Sequence, residues 1–186
     1  MKLKCEISAR HIHLSQKHLD ELIGEDLENI RDLCQPGQFL SRQRVTLVGP
    51  KGNIANVAVL GPTRPDTQVE LARTDTFILG IKDVPVRQSG HVGDTPGVTI
   101  RYGEREITID RGVMLAKRHI HMTPEDAEKY GFTDGKIVSV AFDGERGGTL
   151  NNTVVRVNPT YATAVHIDVD EANAMGFTKG EVEVTT

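Results

Sequence analysis

The tetrad Arg-His-Ile-His occurs twice in this chain, as Arg10-His11-Ile12-His13 and as Arg118-His119-Ile120-His121. The likeness extends from Ala9 to Ser15 and from Lys117 to Thr123. A repeated polar–apolar alternation of this kind constrains the fold strongly, because the same local structure must be built twice. In a strand, residues two apart face one side. Each tetrad therefore presents two imidazoles on one face and turns its isoleucine toward the other. Two residues after the second histidine stands a helix N-cap type, Ser15 or Thr123, whose oxygen can accept from an orphan amide of the first turn. A looser third copy relates His121–Phe132 to His166–Phe177 and continues as Thr-x-Gly, with Asp168 as the cap. Thr123 with Pro124 and Asp126, and Asp168 with Glu171, resemble capping boxes. Short helices are predicted to end near Gly24, Gly131 and Gly176. Each unit reads as strand, histidine, cap, short helix.

Between these units the pattern is β. Arg44–Val48 and Asn53–Leu60 flank Gly49-Pro50-Lys51-Gly52, a hairpin turn signal. Val98–Tyr102 and Glu106–Ile109 flank a second turn, and Lys136–Phe142 and Thr153–Val157 a third. With no Trp and 4% aromatic residues the core must be aliphatic, and 18 glycines suit frequent tight turns. The expected fold class is mainly β with short helices, as two related small β-barrels capped by short α-helices.

The net charge of -4 gives no reason to propose a nucleic-acid partner. No apolar run approaches the roughly 18–20 residues a membrane span needs, and the N-terminus shows no hydrophobic signal region. The default location is cytoplasmic. Cys5 and Cys34 suggest no disulfide framework.

His11, His13, His119, His121 and His166 lie in the repeated units. His-x-His on a strand is a common zinc arrangement, and neutral imidazole is a suitable ligand. One such pair arises readily by chance. Two inside an identical tetrad, each before a helix cap, point to metal, since imidazole is a poor apolar filler and needs partners when buried. His166 is the third-copy counterpart of His121. A set of His119, His121 and His166 would match the three-histidine catalytic pattern for zinc, with one position open. His11 and His13 need a third ligand. Glu70, in the alternating Gln68-Val69-Glu70, is a candidate, although the pattern alone favours an ordinary solvated acid. Lys51, Arg64 and Arg87 are candidate anion binders. Arg64 lies in the rigid loop Leu60-Gly61-Pro62-Thr63-Arg64-Pro65, and a guanidinium fork suits phosphate. A surface arginine is the generic reading.

These residues sit in a wider set that resembles the propanediol-utilisation-type phosphotransacylases, also called phosphate propanoyltransferases. The resemblance is carried by Ser8–Ser15, Gln35-Pro36-Gly37-Gln38-Phe39, Val59-Leu60-Gly61-Pro62-x-Arg64, Thr67-Gln68-Val69-Glu70, Pro85-Val86-Arg87-x-Ser89-Gly90, Arg118–Met122 and His166–Ala174. It covers essentially the whole chain. It implies a phosphate acyltransferase that interconverts acyl-CoA plus phosphate and acyl phosphate plus coenzyme A, with a short propanoyl or acetyl chain. Two β-barrel domains are implied, one of residues 1–9 with 117–186 and one of residues 10–116. The resemblance further implies two divalent ions, usually zinc, in one active site. His11, His13 and Glu70 would hold one, and His119, His121 and His166 the other.

Arg64 falls where the family binds phosphate, and is the expected catalytic side chain. Ile7, Ser8, Ala9, Lys51, Ala58 and Asn173 fall where the family contacts coenzyme A, several of them through backbone atoms. Members associated with microcompartments carry an N-terminal extension. Here the core begins within the first ten residues, so a free cytoplasmic enzyme is expected rather than a shell-packaged one, with a homodimer as the candidate assembly. Neither cysteine sits in a recognisable Cys–His arrangement, which favours direct transfer. A metal-dependent hydrolase of an acyl or phosphate ester, or a non-catalytic metal-binding module, would use the same ligands.

Overall fold

The computed structural model describes residues 1–185. In chain order the elements are β1 (Lys2–Ser8), β2 (His11–His13), α1 (Gln16–Leu22), β3 (Asn29–Asp32), β4 (Phe39–Val48), β5 (Asn53–Gly61), β6 (Gln68–Leu71), α2 (Arg73–Leu79), β7 (Val86–Arg87), β8 (Val98–Tyr102), β9 (Arg105–Ile109), β10 (Val113–Ala116), β11 (His119–Met122), α3 (Pro124–Tyr130), β12 (Ile137–Phe142), β13 (Gly148–Val157), β14 (Ala164–Asp168), α4 (Val169–Ala174) and β15 (Gly180–Thr185). The chain divides into two compact units, Met1–Ala9 with Lys117–Thr186 and Arg10–Ala116. No helix among the described residues is long and apolar enough to cross a membrane.

The first unit is a closed barrel in the order β1-β14-β11-β13-β12-β15. Alternate residues of all six strands fill its interior: Leu3 and Cys5, Val165 and Ile167, Ile120 and Met122, Val155, Val138, Val140 and Phe142, Val182 and Val184. Closure leaves no unpaired strand edge. β1 runs parallel to β14, with Glu6 opposite His166, and antiparallel to β15, with Leu3 opposite Val182. Two predicted caps are present here. Thr123 Oγ1 accepts from the Asp126 amide at the start of α3, and Pro124 takes the first helical position. α3 stops at Gly131, whose φ of 69° is left-handed and whose amide bonds back to Ala127. Asp168 and Glu171 form a reciprocal capping box on α4.

The second unit is built on a nine-stranded sheet in the order β7-β10-β6-β2-β5-β4-β8-β9, with β3 attached to β4. It curls as a half-barrel and does not close. Its core is aliphatic, with Ile12, Leu14, Val45, Leu47, Val57, Val59, Val69, Leu71, Ile100 and Val113 among its members. Ser15 caps α1 through the His18 amide, and Leu19 and Leu22 bury its inner face. The predicted hairpins β4–β5, β8–β9 and β12–β13 are antiparallel pairs. α2 is an element for which the sequence carries no cap signal.

Candidate functional site

β2 is only three residues long and lies between two partners. It pairs parallel with β5, His11 opposite Ala58. It pairs antiparallel with β6, His11 opposite Glu70 and His13 opposite Gln68. Ile12 is completely buried in the core, so the two histidines face the other side with Glu70. One ligand atom from each of His11, His13 and Glu70 lies within 4.8 Å of the others, and His11 Nε2 is 3.5 Å from Glu70 Oε2. The second carboxylate oxygen is held elsewhere. Gln68 Nε2 donates to Glu70 Oε1 and to Ser89 Oγ, each at 2.7 Å. The carboxylate is thus oriented by a buried amide. Burial pushes the His13 imidazole from 6.5 down to about 3, helped by His11 and by the charge of Arg64, and opposed by Glu70 and the Leu60 backbone. His13 is therefore neutral near pH 7, the form that donates a lone pair to a metal.

The first unit repeats this plan on β11. It pairs antiparallel with β14, His119 opposite His166, and parallel with β13, His121 opposite Arg156. The ligand atoms of His119, His121 and His166 also lie within 4.8 Å of one another. Their ring centroids are 4.5, 5.0 and 4.8 Å apart. His119 Nδ1 is 2.8 Å from the Lys117 carbonyl. That acceptor requires the proton on Nδ1, which in the neutral ring leaves the lone pair on Nε2. The Tyr161 ring lies 4.0 Å from that of His121.

Both donor sets fit a divalent ion of the zinc type: imidazole nitrogen and carboxylate oxygen, three donors each, with a coordination position left for an exogenous group. Among the described residues no other group of three His, Cys, Asp or Glu donors converges in this way.

Arg64 is carried on the loop after β5. Its amide donates to the Leu14 carbonyl at 2.9 Å and it forms a bridge with Ser15, so the chain leaving β2 pins that loop. Its guanidinium charge is felt at His13. Lys51 sits in the β4–β5 turn, its amide bonded to the Leu79 carbonyl. Arg87 lies on β7 with its guanidinium on the Val86 carbonyl.

The sequence profile of the phosphate propanoyltransferase family matches residues 4–178. The chain is 50% identical over 177 residues to a phosphate propanoyltransferase of Enterococcus faecalis, covering 94% of this chain and 83% of that protein. It is 50% identical over 182 residues to one from Alkaliphilus metalliredigens, covering 97% and 85%. The corresponding protein of Thermotoga maritima is 46% identical over 179 residues, covering 95% and 85%. The chain belongs to the phosphate propanoyltransferase family. It is an enzyme of the phosphate acyltransferase class.

The positions that resemblance to the phosphate propanoyltransferases assigns to coenzyme A fall in two groups. Ile7 and Ser8 end β1 in register with Ile167 and Asp168. Asn173 lies on α4, the helix Asp168 caps, so these three share one corner of the barrel. Ala9 follows directly. In the second unit Ala58 lies beside His11. Lys51 lies in the turn that leads into the same strand. Three side chains near the donors were not singled out from sequence. In the sequence Ser89 is one residue of the Pro85–Gly90 motif, and Gln68 one position of an alternation. Their joint grip on Glu70 needs the fold to bring β6 and the segment after β7 together. Tyr161 is a single aromatic in a loop and carries no pattern at all.

Proposed function

We propose that this phosphate acyltransferase interconverts a short acyl-CoA, propanoyl or acetyl, and inorganic phosphate with the acyl phosphate and coenzyme A, by direct transfer and with one zinc ion in each triad. The observation that carries this reading is the first donor set with Arg64 beside it: three convergent neutral or anionic donors next to a cation whose charge reaches His13. When bound, an ion in either triad supplies Lewis-acid stabilisation of negative charge on a thiolate, phosphate or carbonyl oxygen.

The chain's own residues supply the positioning. His11, His13 and Glu70, with His119, His121 and His166, are the proposed ligands. Arg64 offers two parallel N–H donors to phosphate oxygens and holds that nucleophile toward the acyl carbonyl. A phosphate oxygen attacks the carbonyl carbon, the C–S bond breaks, and its electron pair leaves on sulfur as the coenzyme A thiolate. Ile7, Ser8, Ala9, Lys51, Ala58 and Asn173 are assigned to coenzyme A, which is a substrate here. Direct transfer is favoured over an acyl-enzyme. Burial, with smaller contributions from Glu6 and Glu171, pushes the Cys5 thiol up to about 12. It stays protonated near pH 7 and is a poor nucleophile. Cys34 lies on the surface. A cytoplasmic location belongs to the same reading.

The test is a paired assay of the purified, metal-loaded protein with propanoyl-CoA. Free thiol and acyl phosphate should appear in equal amounts, and only when phosphate is present. Thiol release without acyl phosphate would make the protein a hydrolase. Neither product at full metal loading would make it a binding module.

A further inference from the structure

The arginine that opens each tetrad belongs to neither donor set, yet both arginines are engaged in the same way. Arg10 Nε lies 3.0 Å from Asp75 Oδ1, with the carboxylate side chain 1% exposed. Arg118 Nε lies 2.7 Å from Glu171 Oε1, with the carboxylate side chain 18% exposed. The two carboxylates occupy equivalent places. Asp75 is the third residue of α2, the helix that follows the strand carrying Glu70. Glu171 is the third residue of α4, the helix that follows the strand carrying His166. In each case the other carboxylate oxygen accepts from the N-cap amide, of Ala72 or of Asp168, at 3.1 Å. One oxygen fastens the start of the helix and the other receives the arginine.

We infer that Arg10 and Arg118 are positioning residues, each clasping the start of its His-x-His strand to the helix behind the third donor and so setting the spread of the triad. This rests on the metal-binding reading above. The geometry explains why such a clasp is needed. β2 has three residues and β11 four, too few for a ladder to hold its own ends without fraying. The donor pair nearest each arginine is the one that faces across the ladder, His11 with Glu70 and His119 with His166. A fray at that end would part the first histidine from the third donor. The ion pair sits one residue beyond that donor pair and closes the open end. The Asp75 carboxylate is buried and that of Glu171 half-buried, which limits screening of both pairs.

A purely structural ion pair would stabilise the unit without touching metal affinity, so affinity is the deciding measurement. Metal-free protein is titrated with Co(II) in chelator buffer, one site at a time. Glu70→Ala silences the second-unit triad and His166→Ala the first-unit triad. Arg118→Met should weaken Co(II) at the three-histidine set about 10-fold or more, the scale seen when a ligand's supporting partner is lost, and shift its d–d bands. Arg10→Met should do the same to the set of His11, His13 and Glu70. Each variant should leave the other set at its original affinity, and Lys at either position should restore part of the loss. Thermal unfolding of the metal-free forms reports folding. If a Met variant fails to fold, Arg118→Lys and Glu171→Gln give the same reading. Unchanged affinity and spectrum at the adjacent set in a folded variant would overturn the inference, as would equal weakening of both sets. If the unmodified triads take up no Co(II), the metal-binding reading itself fails, a result distinct from a failure of the arginines.

Discussion

The two histidine-bearing strands occupy the same frame in sheets that otherwise differ. β2 has a parallel neighbour on one side and an antiparallel one on the other, and so has β11. The parallel neighbour belongs in both units to a hairpin, β4–β5 or β12–β13, whose ladder slips register. Each hairpin contains an asparagine at a φ of 60°, Asn56 on β5 and Asn152 on β13. Even this left-handed residue, which asparagine tolerates better than most side chains, is duplicated. Yet the first unit closes into a barrel and the second remains an open sheet. The donor frame is therefore independent of closure.

What differs is one side chain and its support. The third donor is an imidazole in the first unit and a carboxylate in the second. Glu70 is held by the Gln68–Ser89 pair, whereas the three-histidine set has the Tyr161 ring against it. Backbone pairing decides where three donors stand, and a single substitution decides their charge. As ligands, two imidazoles and a carboxylate have a formal charge of one negative unit, and three imidazoles have none. On the proposed metal-binding reading, an ion held by the latter would keep more positive charge and would be the better partner for a thiolate or phosphate.

The sharpest break in this comparison is expected from His166→Ala. Two donors remain in the first unit, so that ion is lost and turnover falls by at least roughly 10²–10³-fold, the scale of removing a main electrostatic stabiliser. The second-unit ion stays. Elemental analysis beside the activity assay decides it, and two retained ions with normal turnover would remove His166 from the site. Glu70→Gln, which keeps the shape and removes the charge, should weaken the second-unit ion instead.

Next in size is Arg64→Ala. It should raise the KM for phosphate far more than that for acyl-CoA, with kcat/KM for phosphate down on the order of 10²-fold. Lys should rescue only part, having a point charge in place of a fork. An unchanged phosphate dependence would separate Arg64 from the chemistry.

A smaller effect tests the support of the carboxylate. Gln68→Leu removes the amide between Glu70 and Ser89, and should cost the second-unit ion about 10-fold in affinity while sparing the three-histidine set. Equal affinity in the two proteins would show that the ladder alone orients Glu70.

The mildest probe is acid. His13 titrates at about 3 in the fold and at 6.5 in the unfolded chain. Between those values the unfolded state binds the extra proton. The histidine's contribution is thus intact above about 6.5 and declines as pH falls toward 3. The metal-free protein should melt at progressively lower temperature across this window, and His13→Gln should flatten the slope. An identical slope in that variant would assign the acid sensitivity elsewhere.

The sequence shows local features well and long-range ones poorly. Ser15, Thr123 and Asp168 cap helices where the repeated pattern places them, because a cap needs only residues close in sequence. α2 stayed hidden because its N-cap, Ala72, has no side-chain oxygen, and only Asp75 reaching back to the Ala72 amide marks its start. Closure of one sheet but not the other depends on β1 meeting β14 and β15, which no local pattern records. The third sequence copy aligned His166 with His121, whereas in the structure His166 faces His119 across a ladder and its counterpart is Glu70. That equivalence is invisible in sequence because the side chain itself changed. Glu70 was readable only through family resemblance, since an acid on an alternating strand is ordinarily solvated.

β1 has a consequence in time. It precedes the whole second unit in the chain, while both strands that flank it in the barrel, β14 and β15, come after that unit. On a ribosome adding about 5–20 residues per second, roughly 10–35 s separate the making of β1 from that of its last partner. Throughout that interval Leu3 and Cys5 have no barrel to enter, and the second unit can fold in full. Closing the barrel around the first strand is a step that must wait until β15 has been made.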